Sequence, residues 1–208
     1  MADVFKIHPE TPQKRLLQRT AECLRAGGLI VYPTDSSYAL GCGLGEKEAL
    51  ERIRAIRHFD KDHLFTLLCR DLSEISLYAK VDNWAFRMLK NATPGPYTFV
   101  LRATHEVPRR LQHAKRKTIG LRVPDHRIAL GIVEALGTPI MTATLRSPVD
   151  DAPVSSAEAA REYFDKLVDV IVDGGPCGVE PTTLIDLSEE APKVLREGKG
   201  ALEAIGVV

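Results

Sequence analysis

Gly28-Leu-Ile-Val-Tyr-Pro-Thr34-Asp-Ser-Ser-Tyr-Ala-Leu-Gly41-Cys-Gly is the stretch on which the fold turns. Leu29, Ile30 and Val31 form a short aliphatic run suited to a buried strand. Pro33 has no N–H to offer a ladder, so regular pairing is expected to loosen there. Thr34, Ser36 and Ser37 then fall at a strand end, where α/β folds place their ligands. Core packing gives no reason for three hydroxyls at that point; a Ser-rich turn is the other reading. The following Gly41-Cys-Gly43-Leu-Gly45 run is expected to relax a loop rather than cradle phosphate.

Helical and strand patterns alternate on either side of this stretch. Thr11-Pro12 has the form of an N-cap followed by Pro at N1, opening a helix that Gly27-Gly28 stops. Further helices are expected over 44–56, 71–78, 82–90 and 126–136, the last closed by Gly137. Ser155-Ser-Ala-Glu158 matches a capping box. Strands are expected at 29–33, 64–69, 97–102, 118–123, 139–143, 167–172, 182–187 and 193–196. This alternation predicts one α/β domain over 1–208 with a mixed sheet, its core spanning about residues 11–200.

Composition narrows the function. Lys+Arg and Asp+Glu balance at 28 each, which disfavours a protein that coats nucleic acid through net charge. Cys23, Cys42, Cys69 and Cys177 are scattered without a C-x-x-C pair, and His58 and His63 are five apart, so no metal site is expected. The first residues lack a signal-peptide pattern and no apolar run reaches membrane-spanning length, so a cytoplasmic protein without a membrane partner is expected. Neither G-x-G-x-x-G after a strand nor G-x-x-x-x-G-K-[ST] occurs, which argues against Rossmann and P-loop nucleotide sites.

Hydroxyls and arginines recur at strand ends: Thr34, Thr118, Arg122, Thr142, Thr144, Arg146, Thr182 and Arg196, with Arg57 ending a helix. Arg122 lies between Leu121 and Val123, so it projects to the face opposite theirs. Burying it requires an anion: either an internal Asp or Glu, or a bound carboxylate or phosphate gripped by its planar fork. Arg57 is explained equally well by the helix dipole. Arg109, Arg110, Lys115, Arg116 and Lys117 form a basic segment that, with Arg102, Arg122 and Arg146, could line one positive surface for RNA phosphates, or be a solvated loop. Donors are plentiful and general bases few, which suits phosphoryl or nucleotidyl transfer.

Four segments taken in order carry a family resemblance: Tyr32-Pro-Thr34-Asp-Ser-Ser-Tyr-Ala-Leu-Gly41-Cys, Thr93-Pro-Gly-Pro-Tyr-Thr-Phe-Val-Leu101, Thr118-Ile-Gly-Leu-Arg122-Val-Pro-Asp-His126, and Pro181-Thr-Thr-Leu-Ile-Asp186 with Val194-Leu-Arg196-Glu-Gly198. Together they resemble the YrdC-like family, and within it the YciO branch. The resemblance implies a twisted open mixed sheet with helices on both sides and a large concave basic cavity. It implies a threonylcarbamoyl-AMP synthase-type nucleotidyltransferase that joins L-threonine, bicarbonate and ATP, with magnesium accompanying ATP and pyrophosphate released, in the service of tRNA modification. It also implies double-stranded RNA as a partner.

By position, Thr34 matches the family's threonine contact and Arg122 its carboxylate clamp. Thr142 and Thr182 join this substrate set. Arg57, Thr118, Thr144, Arg146 and Arg196 fall in the nucleotide set, and Arg109, Arg110, Lys115, Arg116 and Lys117 in the RNA set. Two departures stand out: Ala55 occupies the place of the lysine in Lys-x-Arg, and Thr144-Leu145-Arg146 replaces Ser-x-Asn. The rival reading is a paralogue that binds nucleotide and double-stranded RNA with little or no catalysis; a weaker third is a related transfer to another acceptor.

Overall fold

The computed structural model describes residues 1–60 and 63–206. In chain order the elements begin β1 (Asp3–Lys6), α1 (Lys14–Arg25), β2 (Leu29–Pro33), β3 (Tyr38–Gly43), α2 (Lys47–Arg57) and β4 (Thr66–Leu68). Next come α3 (Leu72–Tyr78), β5 (Ala79–Lys80), α4 (Asn83–Ala92), β6 (Tyr97–Ala103), β7 (Thr118–Arg122) and α5 (Arg127–Leu136). The chain continues through β8 (Ile140–Thr144), α6 (Ala157–Phe164), β9 (Val170–Asp173), β10 (Thr183–Asp186) and β11 (Lys193–Arg196). The strands form one open mixed sheet ordered β1-β9-β2-β3-β8-β4-β7-β6-β10-β11, with β5 paired to β6.

Cross-strand partners point to the same side of a sheet. One row therefore runs Ile30, Gly41, Thr142, Thr66, Gly120, Val100 and Asp186 across β2, β3, β8, β4, β7, β6 and β10. The opposite face carries Leu29, Val31, Leu40, Leu67, Met141, Leu121, Phe99 and Ile185, buried against Ala49, Leu50 and Ile53 of α2 and Ala85 and Leu89 of α4. On the face of that row, Ile30, Tyr32, Leu68 and Ile140 pack under Leu17 and Leu24 of α1 and Ile128, Ile132 and Val133 of α5. Each such aliphatic side chain contributes about 1.5–3 kcal/mol on burial. This second apolar cluster stops partway across the sheet. Beyond it the same face carries Thr66, Thr98, Thr142 and Arg122 in place of aliphatic residues.

Several expected boundaries move. Thr11 does not cap α1: its amide and hydroxyl bond the His8 ring, and the helix starts at Lys14 after Gln13. The second helix starts at Lys47, not Leu44. The cap of α6 is Ser156, whose hydroxyl accepts from Ala159 N–H, one residue later than the capping-box register. Gly41 and Gly43 are strand residues of β3 rather than a loop, paired on β2 or β8, and position 41 has no room for a side chain because a Cβ there would lie 2.8 Å from both Ile140 and Tyr32 side chains. Strands β1, β3 and β5 were not foreseen, whereas β2 and β11 fall where expected and α5 and its Gly137 close to it. No described helix is long and apolar enough to cross a membrane.

The segment after β11 is stitched to the entry of β10. Gly198 N–H donates to Thr183 Oγ1 at 3.0 Å and Lys199 N–H to Pro181 O at 2.8 Å. A Cβ at Gly198 would stand 2.2 Å from the Pro181 carbonyl oxygen, a backbone atom that cannot swing aside. Gly198→Ala is therefore expected to cost about 1–3 kcal/mol. Urea denaturation reads this as a lowered midpoint; an unchanged midpoint would show that the stitch is dispensable.

Candidate active site

Where the apolar cover of the sheet ends, a cavity of about 300 Å3 opens. Its floor is strand: Thr66, Thr98, Thr142 and Leu184. Thr34, Ser36 and Ser37 come from the β2–β3 connection, Arg57 from the last position of α2, and Phe59, His63 and Leu64 from the segment that follows it. Arg122, Thr144, Arg146, Thr182 and Arg196 complete the wall. Eight of the nine residues expected to hold substrate or nucleotide thus converge; Thr118 does not. Another groove, about 420 Å3, is more open and lined by Glu158, Arg161, Glu162, Asp165 and Asp173, with no converging hydroxyls.

Thr34 organises the Ser-rich turn that the stretch suggested. Its Oγ1 accepts from Ser36 and Ser37 N–H at 3.2 and 3.3 Å and bonds Ser37 O at 2.7 Å, a side-chain-braced turn. That turn also presents the hydroxyls to the cavity. Arg122 is 7% exposed and forms a buried ion pair with Asp35. Asp35 also accepts Asp125 N–H at 3.0 Å, and Lys199 bonds its carbonyl. The internal-salt-bridge reading of Arg122 therefore holds, yet the guanidinium still lines the cavity and its buried Nε has no partner.

Two hydroxyls of the floor, those of Thr142 and Thr98, are held by neighbouring hydroxyls. Thr142 Oγ1 lies 2.7 Å from Tyr32 Oη, whose titration burial pushes up to about 12, so this phenol stays neutral. Thr98 Oγ1 lies 2.8 Å from Thr182 Oγ1. Arg196 donates through Nε and Nη2 to the Thr182 carbonyl at 3.1 and 2.9 Å, and has no acidic partner among the described residues. Arg146 Nε and Arg57 Nη1 share the Asp151 carboxylate at 2.9 and 3.7 Å. Burial lowers the pKa of Arg57, with Asp151 opposing the shift and Arg146 adding to it. Partial burial and then Arg146 lower that of Arg196. Four guanidiniums thus meet two carboxylates, and the Nε atoms of Arg57 and Arg122 are buried without partners. The guanidiniums outnumber the carboxylates that pair with them.

Phe59 and His63 stack with ring centres 3.4 Å apart, and the Arg57 guanidinium sits over Phe59 at 5.0 Å. Burial, outweighing Asp60, drives the His63 pKa down to about 4. Arg54, next to Ala55, turns elsewhere and lies over Phe65. It does not restore the missing lysine at the cavity.

Thr118 is on the cavity's side of β7 by alternation, but at the far end. It pairs with Arg102, four residues or about 13 Å along from Arg122. Its buried hydroxyl has no partner. The basic segment also lies apart, and none of its residues lines the cavity. Arg116 pairs with Asp186 at 2.9 Å, Arg110 bonds Gly45 O, and Arg102 donates to Ser188 O. The expectation of one positive surface joining Arg102 to Arg122 and Arg146 is therefore corrected. Sequence reasoning also passed over Asp35, Thr66, Thr98, Phe59, His63 and Asp151. The alternation that places Thr142 and Arg122 would have flagged Thr98, whereas the contact of Asp151 with Arg57 has no local signature. Among the described residues no three His, Cys, Asp or Glu side chains gather to hold a metal ion.

Residues 22–198 match the family Sua5_yciO_yrdC, described as telomere recombination. The crystal structure of Escherichia coli YciO has a TM-score of 0.95 and 51% identity, covering 99% of this chain and 100% of that one. Pyrococcus abyssi Sua5 complexed with L-threonine has a TM-score of 0.89 and 28% identity, covering 99% of this chain and 61% of that one. The threonylcarbamoyl-AMP synthase of Chromobacterium violaceum is 35% identical over 192 residues, 90% of this chain and 96% of its own.

Two outcomes are expected from the geometry. Asp35→Ala leaves Arg122 buried and unpaired and should cost about 3–5 kcal/mol, much of it recovered in Asp35→Ala/Arg122→Leu. Denaturant titration of the single and double variants checks this. His63 is neutral in the fold, and between pH 6.5 and about 4 the unfolded chain binds its proton first. Stability therefore falls with acidification through that window, and His63→Phe, which keeps the stack, should flatten that part of the Tm–pH profile. An unchanged profile would show that His63 does not carry it.

Proposed function

Because the chain belongs to the Sua5/YciO/YrdC family, we propose that its cavity activates the N-carboxylated (carbamate) form of a small amino acid, L-threonine first among candidates, as its adenylate. The carrying observation is the surplus of guanidinium over carboxylate around a floor of threonine hydroxyls. The likeness to a structure holding L-threonine supports the choice of amino acid. Arg122, Thr34 and Ser36 would hold the amino-acid carboxylate, with the unpartnered Nε of Arg122 as the available donor. Thr142 and Thr182 would orient the remaining polar groups.

The chemistry needs little more than positioning and charge. Threonine nitrogen adds to the carbon of bicarbonate, water leaves, and a carbamate forms. A carbamate oxygen then attacks the α-phosphorus of ATP, the α–β bridging P–O bond breaks, and pyrophosphate departs with that electron pair. Arg57, Arg146 and Arg196 offset the negative charge that builds on the leaving group. Magnesium would enter on the phosphates of ATP, since guanidiniums outnumber carboxylates here and, among the described residues, no cluster of carboxylates fits a resident ion.

The rival is a nucleotide-holding paralogue with little turnover, a reading motivated by Ala55 and Arg146. Arg109, Lys115 and Lys117 are exposed without a carboxylate partner among the described residues, so RNA phosphates would attach there, apart from the cavity. Incubation of the protein with ATP, bicarbonate and L-threonine should yield pyrophosphate and an acyl-adenylate detectable by mass spectrometry. ATP binding without either product favours the rival. Arg122→Lys, which keeps the charge but loses the fork, should lower kcat/KM for threonine by about ten- to a hundred-fold. Wild-type kinetics in that variant would remove Arg122 from the substrate site.

A further inference from the structure

Among the described residues Asp151 is the one acidic side chain that pairs with Arg57 and Arg146 of the cavity, and its backbone is set to do so. The preceding strand ends at Thr144, and Leu145 and Val154 are clamped to Tyr38 by backbone bonds of 3.0 and 2.9 Å. Between them the loop closes on itself. Ser147 N–H donates to Ala152 O at 2.8 Å, Asp151 N–H to Ser147 O at 3.0 Å, and Ala152 N–H to Asp150 Oδ1 at 3.2 Å. Asp151 sits at φ 55°, a left-handed conformation that Asp and Asn tolerate better than most side chains. The result is a carboxylate held 2.9 Å from Arg146 and 3.7 Å from Arg57.

That carboxylate does not satisfy the site. Arg57 keeps a buried, unpartnered Nε, and Arg196 has no acidic partner among the described residues. Asp151 itself is 73% exposed, so its ion pairs are weak and a better anion can outbid them. Electrostatics then counts charge. Three cations and one fixed anion leave a surplus of two, which suits a singly or doubly charged phosphate better than a bare triphosphate.

We propose that Asp151 is a specificity residue for charge, a built-in carboxylate that half-fills the anion site between Arg57 and Arg146 and limits how much negative charge a guest can bring. The proposal rests on the cavity being an anion site but not on threonine or ATP being its substrates. Its signature is a graded effect: removing the carboxylate helps a highly charged guest more than a weakly charged one.

Isothermal titration of the full chain with inorganic phosphate, pyrophosphate and tripolyphosphate tests this. Asp151→Asn keeps the left-handed preference and removes only the charge. It should tighten binding by about three-fold for phosphate, rising to ten-fold or more for tripolyphosphate. Asp150→Asn makes the same charge change on the same loop without touching the arginines, and should leave all three affinities within about two-fold. Arg146→Gln should reverse the grading, with tripolyphosphate losing most. No gain in Asp151→Asn, an equal gain for all three anions, an equal gain from Asp150→Asn, or no binding by either protein would each overturn the proposal. These probes contain no amino acid or adenosine. Failure to form an acyl-adenylate would thus sink the functional reading while leaving this result to stand.

Discussion

The ion pair between Asp35 and Arg122 is the constraint from which the cavity is assembled. A guanidinium and a carboxylate at 8% and 7% side-chain exposure are costly to desolvate, and only bonds to nearly all their polar atoms offset that cost. The Asp35 carboxylate draws in the end of β7 and the amide that precedes α5, while the lysine beyond β11 bonds the Asp35 backbone carbonyl in the β2–β3 connection. Segments distant in sequence are thereby fixed around one point. The pair remains incomplete on its open side, where Arg122 Nε has no partner.

The rest of the site follows from what does not cover the sheet. Helices α1 and α5 lie over only part of one face. An exposed aliphatic row there would be a liability for association. Threonine resolves this, since its β-branch suits a strand while its hydroxyl suits water or a ligand. Thr98 pairs with Thr182 and Thr142 with Tyr32, so these two floor hydroxyls are oriented before any guest arrives. At the rim the charges are less settled, with Arg57 and Arg146 competing for one carboxylate and Arg196 resting on a carbonyl.

Much of this was visible in residue order. Central strands β2, β6, β7 and β8 show as aliphatic runs punctuated by Pro or Gly, because burial on both faces leaves a dense signal. Strand β3 escaped because its Gly-Cys-Gly composition imitates a loop; the cause is close packing under Tyr32 and Ile140, which no local pattern records. Strand β1 is short and mostly exposed, and its pairing with β9 is set by a partner far along the chain. The site residues were legible as types, hydroxyl and arginine at strand ends. Their partners were not, because Asp35 and Asp151 gain meaning only through contacts made across the fold. Thr118 marks the limit of alternation: it gives the correct face, but says nothing about distance along the strand.

A binding floor made of the ladder itself has a mechanical consequence. Thr66, Thr98 and Thr142 sit on β4, β6 and β8, inside the sheet, where neighbouring strands pin the backbone on either flank. The bottom of the hollow has almost no freedom to mould itself around a guest. Accommodation is left to the surrounding connections, so diversification of such a molecule toward new guests proceeds by exchanging rim side chains over an unyielding template.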